Sequence, residues 1–188
     1  MVRPLDAKKS SSLRGAPSFS FGNRTTRALW NVVWIILASW TPPPLHFWRR
    51  FLLRLFGAKI ASTARIYSSA KIWYPPNLEM GEYSIIGWHA ICYCQAKVIL
   101  EDYANVAQRV FLCAGTHDIE DINFQLVTKP ITVKRHAWLA ADVFVGPGVT
   151  VGEGAVVGAR GVVFKDLDPW TVYVGNPIIK LKVRSKRW

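Results

Sequence analysis

From Val133 to Asp168 the chain reads in sixes, VKRHAW LAADVF VGPGVT VGEGAV VGARGV VFKDLD. An aliphatic residue holds every first place: Val133, Leu139, Val145, Val151, Val157 and Val163. The second place is usually small or glycine (Ala140, Gly146, Gly152, Gly158), and the fifth is small or β-branched (Ala137, Val143, Val149, Ala155, Gly161). Residues two apart on a strand share a face, so the fifth member of one hexad and the first of the next point into one interior. A turn must then interrupt the chain once per six residues, and three short strands with three turns close a triangular coil. Hexapeptide periodicity of this kind predicts a parallel β-helix, with the second-place glycines expected where the chain turns sharply.

The same period begins at Ile60, Ile66 and Ile72, slips by two, resumes at Met80, Ile86 and Cys92, slips by two again, and resumes at Leu100, Val106 and Leu112. A slip of two preserves strand facing and can be absorbed at a corner. An all-β solenoid is therefore expected over residues 58–170. From His117 to Pro130 the period vanishes into a polar, acidic loop (117–130), and a loop of this length on a regular solenoid is usually functional. After Asp168 a basic closing segment, 171–188, contains a turn at Gly175 to Pro177.

Ahead of the repeats, residues 1–27 are rich in Ser, Arg, Lys, Gly and Pro and read as a flexible basic arm. Residues 28–57 read as a helical segment. Ala28 to Trp40 is nearly all apolar, stops at Pro42 to Pro44, and is too short to span a bilayer, which takes about twenty apolar residues. Leu45 to Phe56 places Trp48, Phe51, Leu52 and Leu55 at helical spacing beside Arg49, Arg50 and Arg54, a basic amphipathic helix. Two readings stand: the helices cover the open end of the β-helix, or they make a peripheral membrane contact through residues 28–56, with the arginines toward lipid phosphates.

Charge sharpens this picture. The 188 residues carry a formal net charge of +12, but residues 1–59 hold ten Lys or Arg against the single acid Asp6, and five more bases follow from Lys180 with no acid. A near-neutral body with basic ends fits an anionic membrane surface or phosphate groups rather than a nucleic-acid-binding face. The three cysteines, Cys92, Cys94 and Cys113, are an odd number and argue for a reducing, cytoplasmic setting rather than a disulfide framework. Without a second such pair, Cys92 and Cys94 read as buried or corner residues rather than zinc ligands. The first twenty-eight residues lack the apolar core of a signal peptide.

The hexads, the loop opening on THD, the run WLAADVFVGPGVTVGEGAVVGARGVVFKDL and the closing VYVGNP together resemble the hexapeptide-repeat acyltransferases of left-handed β-helix fold. Among these the chain is most similar to the colanic-acid and other exopolysaccharide sugar O-acetyltransferases. The resemblance covers roughly residues 45–184. It implies direct acetyl transfer from acetyl-CoA to a sugar hydroxyl, with His117 as general base and Asp118 or a loop carbonyl fixing its tautomer; the helical lead-in and basic ends add a lipid-linked saccharide as a candidate acceptor. A hydroxyl is a poor nucleophile near neutrality, and an imidazole with an ordinary pKa near 6.5 can take its proton as attack proceeds. The thioester oxygen would need a donor, for which a backbone N–H of a neighbouring coil is suited.

For CoA the resemblance implies Trp138, Ala141, Ala159 and Lys165 along the prism, with Lys180, Lys182 and Arg184 toward its phosphates. Ile179 stands where better-known relatives have arginine. Tyr93, Gln95 and Asn123 are the polar candidates for the acceptor. The family forms homotrimers with sites between prisms. Two other classes fit parts of the pattern: a non-catalytic scaffold or membrane-surface binding protein, and a γ-type carbonic anhydrase, which would recruit His89, His117 and His136 to zinc. No metal is expected for the acetyltransferase reading.

Overall fold

The computed structural model describes residues 18–185. The first seventeen residues of the basic arm, and Lys186 to Trp188 of the tail, lie outside them. Two helices lead in: α1 (Phe21–Leu37) and, after a 3-10 turn at Pro43–Leu45, α2 (His46–Leu55). Helix α1 begins seven residues before the apolar run, inside the stretch read as an arm. The reason is local: the Ser20 hydroxyl caps it, accepting from the Asn23 N–H at 3.2 Å, which satisfies one of the free donors of the first turn.

The solenoid follows as successive triangular coils. The first holds β1 (Lys59–Ile60), β2 (Arg65–Ile66) and β3 (Lys71–Ile72); the second β4 (Leu78–Met80), β5 (Ile85–Ile86) and β6 (Ile91–Tyr93); the third β7 (Val98–Leu100), β8 (Asn105–Val106) and β9 (Phe111–Cys113). A hairpin, β10 (Gly115–His117) and β11 (Leu126–Thr128), interrupts the winding. It resumes with β12 (Ile131–Val133), β13 (Trp138–Leu139) and β14 (Phe144–Val145), then β15 (Thr150–Val151), β16 (Val156–Val157) and β17 (Val162–Val163). The chain closes with β18 (Thr171–Val174) and the antiparallel β19 (Ile179–Val183). Stacked coils make three sheets, β1-β4-β7-β12-β15, β2-β5-β8-β13-β16-β18-β19 and β3-β6-β9-β14-β17, and the architecture is a left-handed parallel β-helix.

Every first-place residue from Ile60 to Val163 is buried, as are the fifth-place alanines and valines apart from the half-buried Ala96, so the hexad pattern is the core. The two register slips become coils of twenty residues, since Lys59 pairs with Glu79 and Glu79 with Ile99. The next step, Ile99 to Thr132, takes up the hairpin, and Thr132 to Thr150 is the plain three-hexad coil.

The glycine expectation needs correction. Positive φ falls at the fourth place, at Tyr83, His89, Tyr103, Arg109, His136, Asp142 and Arg160 as well as Gly148 and Gly154. Inter-coil hydrogen bonds hold these corners, including Tyr103 N–H to the Glu82 carbonyl (2.8 Å) and Arg160 N–H to that of Ala141 (2.9 Å). The second-place glycines serve close approach instead. A Cβ on Gly152 would lie 2.5 Å from the Leu167 carbonyl oxygen, and one on Gly81 2.7 Å from the Asp102 nitrogen.

The lead-in helices close the first coil. Trp30 donates its indole N–H to the Ile72 carbonyl at 2.7 Å. Arg49, fully buried, donates from Nε to the Ile66 carbonyl at 2.6 Å and from its Nη atoms to Thr41 Oγ1 and the Pro42 and Pro43 carbonyls. Arg50 donates to Ala64 and Arg54 to Ile60, both at carbonyls. The arginines expected at lipid phosphates thus turn inward, because the first coil's outer carbonyls have no strand beyond them to supply N–H donors.

Candidate active site

The triangular section has three edges. The first, between the first and second sheets, carries Tyr83, Tyr103 and His136; the second, between the second and third, carries His89, Arg109 and Asp142. The third returns from the third sheet to the first, and there the β10–β11 hairpin leaves the prism between β9 and β12.

On the hairpin, Gly115 pairs with Thr128, Thr116 with Val127 and His117 with Leu126. The Asp118 N–H donates to the Gln125 carbonyl at 2.8 Å, and the Phe124 N–H to that of Asp121 at 2.8 Å. Phe124 has φ of 49°, and this left-handed turn brings its carbonyl back to the strand end. The His117 Nδ1 lies 2.8 Å from that carbonyl, and the two rings stack at 4.6 Å with an interplanar angle of 10°. A carbonyl only accepts, so neutral His117 carries its proton on Nδ1 and its lone pair on Nε2. The ring is exposed, which suits Nε2 to a substrate proton.

Asp118 does not hold the ring. Its Oδ1 accepts from the Glu120 N–H at 3.1 Å, so of the two alternatives for the tautomer the loop carbonyl is the one present. Gln95 is buried beneath the hairpin, where its Nε2 donates to the Tyr93 hydroxyl at 3.1 Å. Burial pushes the Tyr93 phenol pKa up. A Cβ on Gly115 would fall 1.7 Å from Gln95 Oε1, so glycine here lets the hairpin root sit directly on the amide. Gln95 Oε1 and Thr128 Oγ1 are buried without a protein hydrogen-bond partner. Gln95 therefore packs under the root of the hairpin. Asn123 is in the loop beside Phe124, its N–H given to Asp121 Oδ1 at 2.7 Å.

The CoA candidates fall elsewhere. Trp138, 45% exposed, stands on the second sheet in a cross-strand row with Val156, Val172 and Lys182. Ala141 and Ala159 stack on the second edge, where Arg160 N–H takes the Ala141 carbonyl. Lys165 is exposed on the third edge. Lys180 approaches Asp168 at 3.5 Å. Arg184 is engaged at the first edge, donating to the Gly154 carbonyl at 3.0 Å with its guanidinium 5.7 Å from the Trp170 ring. Within one chain, then, the row of Trp138 and Lys182 and the alanine pair lie near each other, while His117 stands on a different edge.

The three histidines weighed as zinc ligands occupy three different edges, and among the described residues no group of three His, Cys, Asp or Glu is placed to hold a metal. Cys92 and Cys94 are buried, with the Cys94 thiol 3.2 Å from the Tyr74 carbonyl. Sequence reasoning missed Phe124 and Gly115. A carbonyl has no signature in residue identity, so only the fold could reveal the first. A lone glycine two residues before the histidine was a usable signal for close backbone approach.

Comparison with known proteins gives a consistent result. The chain matches none of the protein-family models scanned. It is 41% identical over 166 residues to the colanic acid biosynthesis acetyltransferase WcaF of Escherichia coli (strain K12), covering 88% of this chain and 91% of that protein. Among solved structures it superposes with a TM-score of 0.79 on a hexapeptide-repeat-containing acetyltransferase of Vibrio cholerae, at 20% identity, covering 93% of this chain and 98% of that one. It superposes equally well, TM-score 0.79 at 22% identity, on a galactoside acetyltransferase in complex with coenzyme A, covering 88% and 84%.

Proposed function

Because the chain belongs to the hexapeptide-repeat acetyltransferases, we propose that it transfers an acetyl group from acetyl-CoA to a sugar hydroxyl in exopolysaccharide biosynthesis. The observation that carries this is the orientation of His117. With Nδ1–H donated to the Phe124 carbonyl, Nε2 accepts the proton of the attacking hydroxyl, the new ester C–O bond forms, the thioester C–S bond breaks, and the proton passes to the departing sulfur. Balance requires no metal or redox partner. Phe124, not Asp118, orients the base.

CoA lies on the second sheet and second edge, with Trp138 along the pantetheine arm, the Ala141 and Ala159 backbone beside it, and Lys182 at the phosphate end. Since His117 stands on another edge, the hairpin of one protomer completes the donor wall of the next, and a closed homotrimer is the assembly that repeats this contact three times. Tyr93 and Asn123 remain the acceptor candidates beside the hairpin. The reading is tested by following CoA thiol release from acetyl-CoA against a panel of free sugars, nucleotide sugars and polyprenyl-linked saccharides, with mass spectrometry of the products. Acetylation of none of them, by protein that binds acetyl-CoA in calorimetry, would overturn the sugar acceptor; failure to bind acetyl-CoA would overturn the reaction.

A further inference from the structure

The lead-in helices are amphipathic in reverse. The α2 arginines face the β-helix and cap its carbonyls, and this rotates Phe47, Phe51 and Leu55, spaced by one turn each, to the outside. Helix α1 buries Trp30 and Trp34 against the coil and presents Leu29, Val32 and Ile36 on its other side. All six of these outward side chains are more than half exposed. The turn between the helices adds Trp40, 70% exposed, whose indole N–H is already given to the Ile36 carbonyl. Monomeric proteins rarely leave so continuous an apolar face open to water.

Charge selects the occupant. No acidic residue occurs between Asp6 and Glu79, while eleven Lys or Arg fall in that span. Of these, Arg24, Arg65 and Lys71 are exposed, and Arg65 lines the same cleft as Phe47. A second copy docking on this face would set like charges against each other, whereas anionic headgroups would answer them. No helix among the described residues is long and apolar enough to cross a membrane, and α1 with 17 residues is about 25 Å long.

We propose that the outer face of α1 and α2 seats this protein on the surface of an anionic phospholipid bilayer, with the apolar side chains among the upper acyl chains and the flanking cations at headgroup phosphates. The prism then stands away from the membrane with its first coil nearest the lipid. This does not depend on the acetyl-transfer reading, because vesicle binding needs neither substrate.

The experiment is flotation of the purified full chain with vesicles of phosphatidylcholine alone and of phosphatidylcholine mixed with phosphatidylglycerol. The protein floats with the anionic vesicles, less with neutral ones, and added salt weakens the binding. The triple variant Ile36→Ser/Phe47→Ser/Phe51→Ser, matched to the parent in circular dichroism and assembled mass, stays at the bottom. In the parent, brominated acyl chains quench tryptophan emission, and Trp40→Phe removes much of that quenching. The proposal is overturned if the parent floats with neither vesicle, if it floats equally with both, or if the triple variant floats as well as the parent. A fall in assembled mass in the variant, with no flotation of the parent, makes the face an interface between copies and overturns it too.

Discussion

The imidazole of His117 is held by Phe124 twice, through Nδ1 at 2.8 Å from the carbonyl and through the parallel ring at 4.6 Å. The proposed base is therefore positioned by backbone and packing within its own hairpin. Since neither contact involves the β-helix core, His117→Ala leaves folding and assembly unchanged while removing roughly 100-fold to 10,000-fold of the turnover. Steady-state kinetics with gel filtration checks this, and near-normal turnover in the variant would falsify the assignment.

Gly115 meets Gln95 with no room for a methyl group, a Cβ lying 1.7 Å from Oε1 and 2.9 Å from Cδ. Gln95 is only 6% exposed, so the amide has little space to retreat and Gly115→Ala must lift the hairpin. A displacement of about 1 Å can cost on the order of 100-fold in rate. Gln95→Ala in the same chain opens the space and restores a substantial part of kcat. No recovery in the double variant removes the steric explanation.

Arg49 is a fully buried cation whose partners are carbonyls, a hydroxyl and the His46 ring nitrogen, with no carboxylate among them. Burial lowers its pKa, and the Arg50 charge lowers it further. Arg49→Met keeps the packing volume but leaves the Ile66, Pro42 and Pro43 carbonyls without this donor, at about 1–3 kcal/mol for each acceptor that water cannot reach. Denaturation at fixed protein concentration reads the loss, and an unchanged midpoint would show that the carbonyls find water.

Trp138 is exposed on the second sheet, away from the hairpin's edge. Trp138→Ala raises the KM for acetyl-CoA about tenfold, equivalent to about 1.4 kcal/mol, with little loss of stability. If His117 of one protomer serves the donor wall of another, refolding a mixture of His117→Ala and Trp138→Ala chains yields more activity than either variant alone. Simple averaging of the two would place both residues in one protomer's site.

His46 has its folded-state pKa lowered, chiefly by burial, then by the Arg49, Arg65 and Arg50 charges, while the Ile66 carbonyl at 2.8 Å opposes them. The unfolded chain consequently takes up the proton more readily than the folded one. Stability is full above the ordinary imidazole pKa of about 6.5 and declines as pH falls below it. His46→Gln flattens that decline, which thermal melts across the range will show; equal slopes in the two proteins would exclude His46 as the cause.

The hexads made the prism legible because the period of a strand and the period of a turn are both written in side-chain size. Each of Ile60, Met80, Leu100, Val133 and Val151 reads as an inward residue, and each is buried. The disappearance of the pattern at His117 marked out the 117–130 loop for the same reason, while the choice of His117 within it rests on the family resemblance. Corner conformation is not legible in the same way, because the second place needs glycine for coil-to-coil distance and the fourth place turns even at Tyr103 or Arg160.

By itself, then, the sequence determined the coil, its core and the place where the winding breaks, since these follow from local spacing and from the removal of apolar surface from water. Only the tertiary structure decided what the charged and polar groups face. The helical spacing of Arg49, Arg50 and Arg54 is compatible with arginines facing lipid phosphates, but in the fold they are caps, because the carbonyls that need them belong to the first coil. The partner of His117 proved to be the Phe124 carbonyl, and every residue has a carbonyl; which one meets the imidazole is set by the path of the backbone.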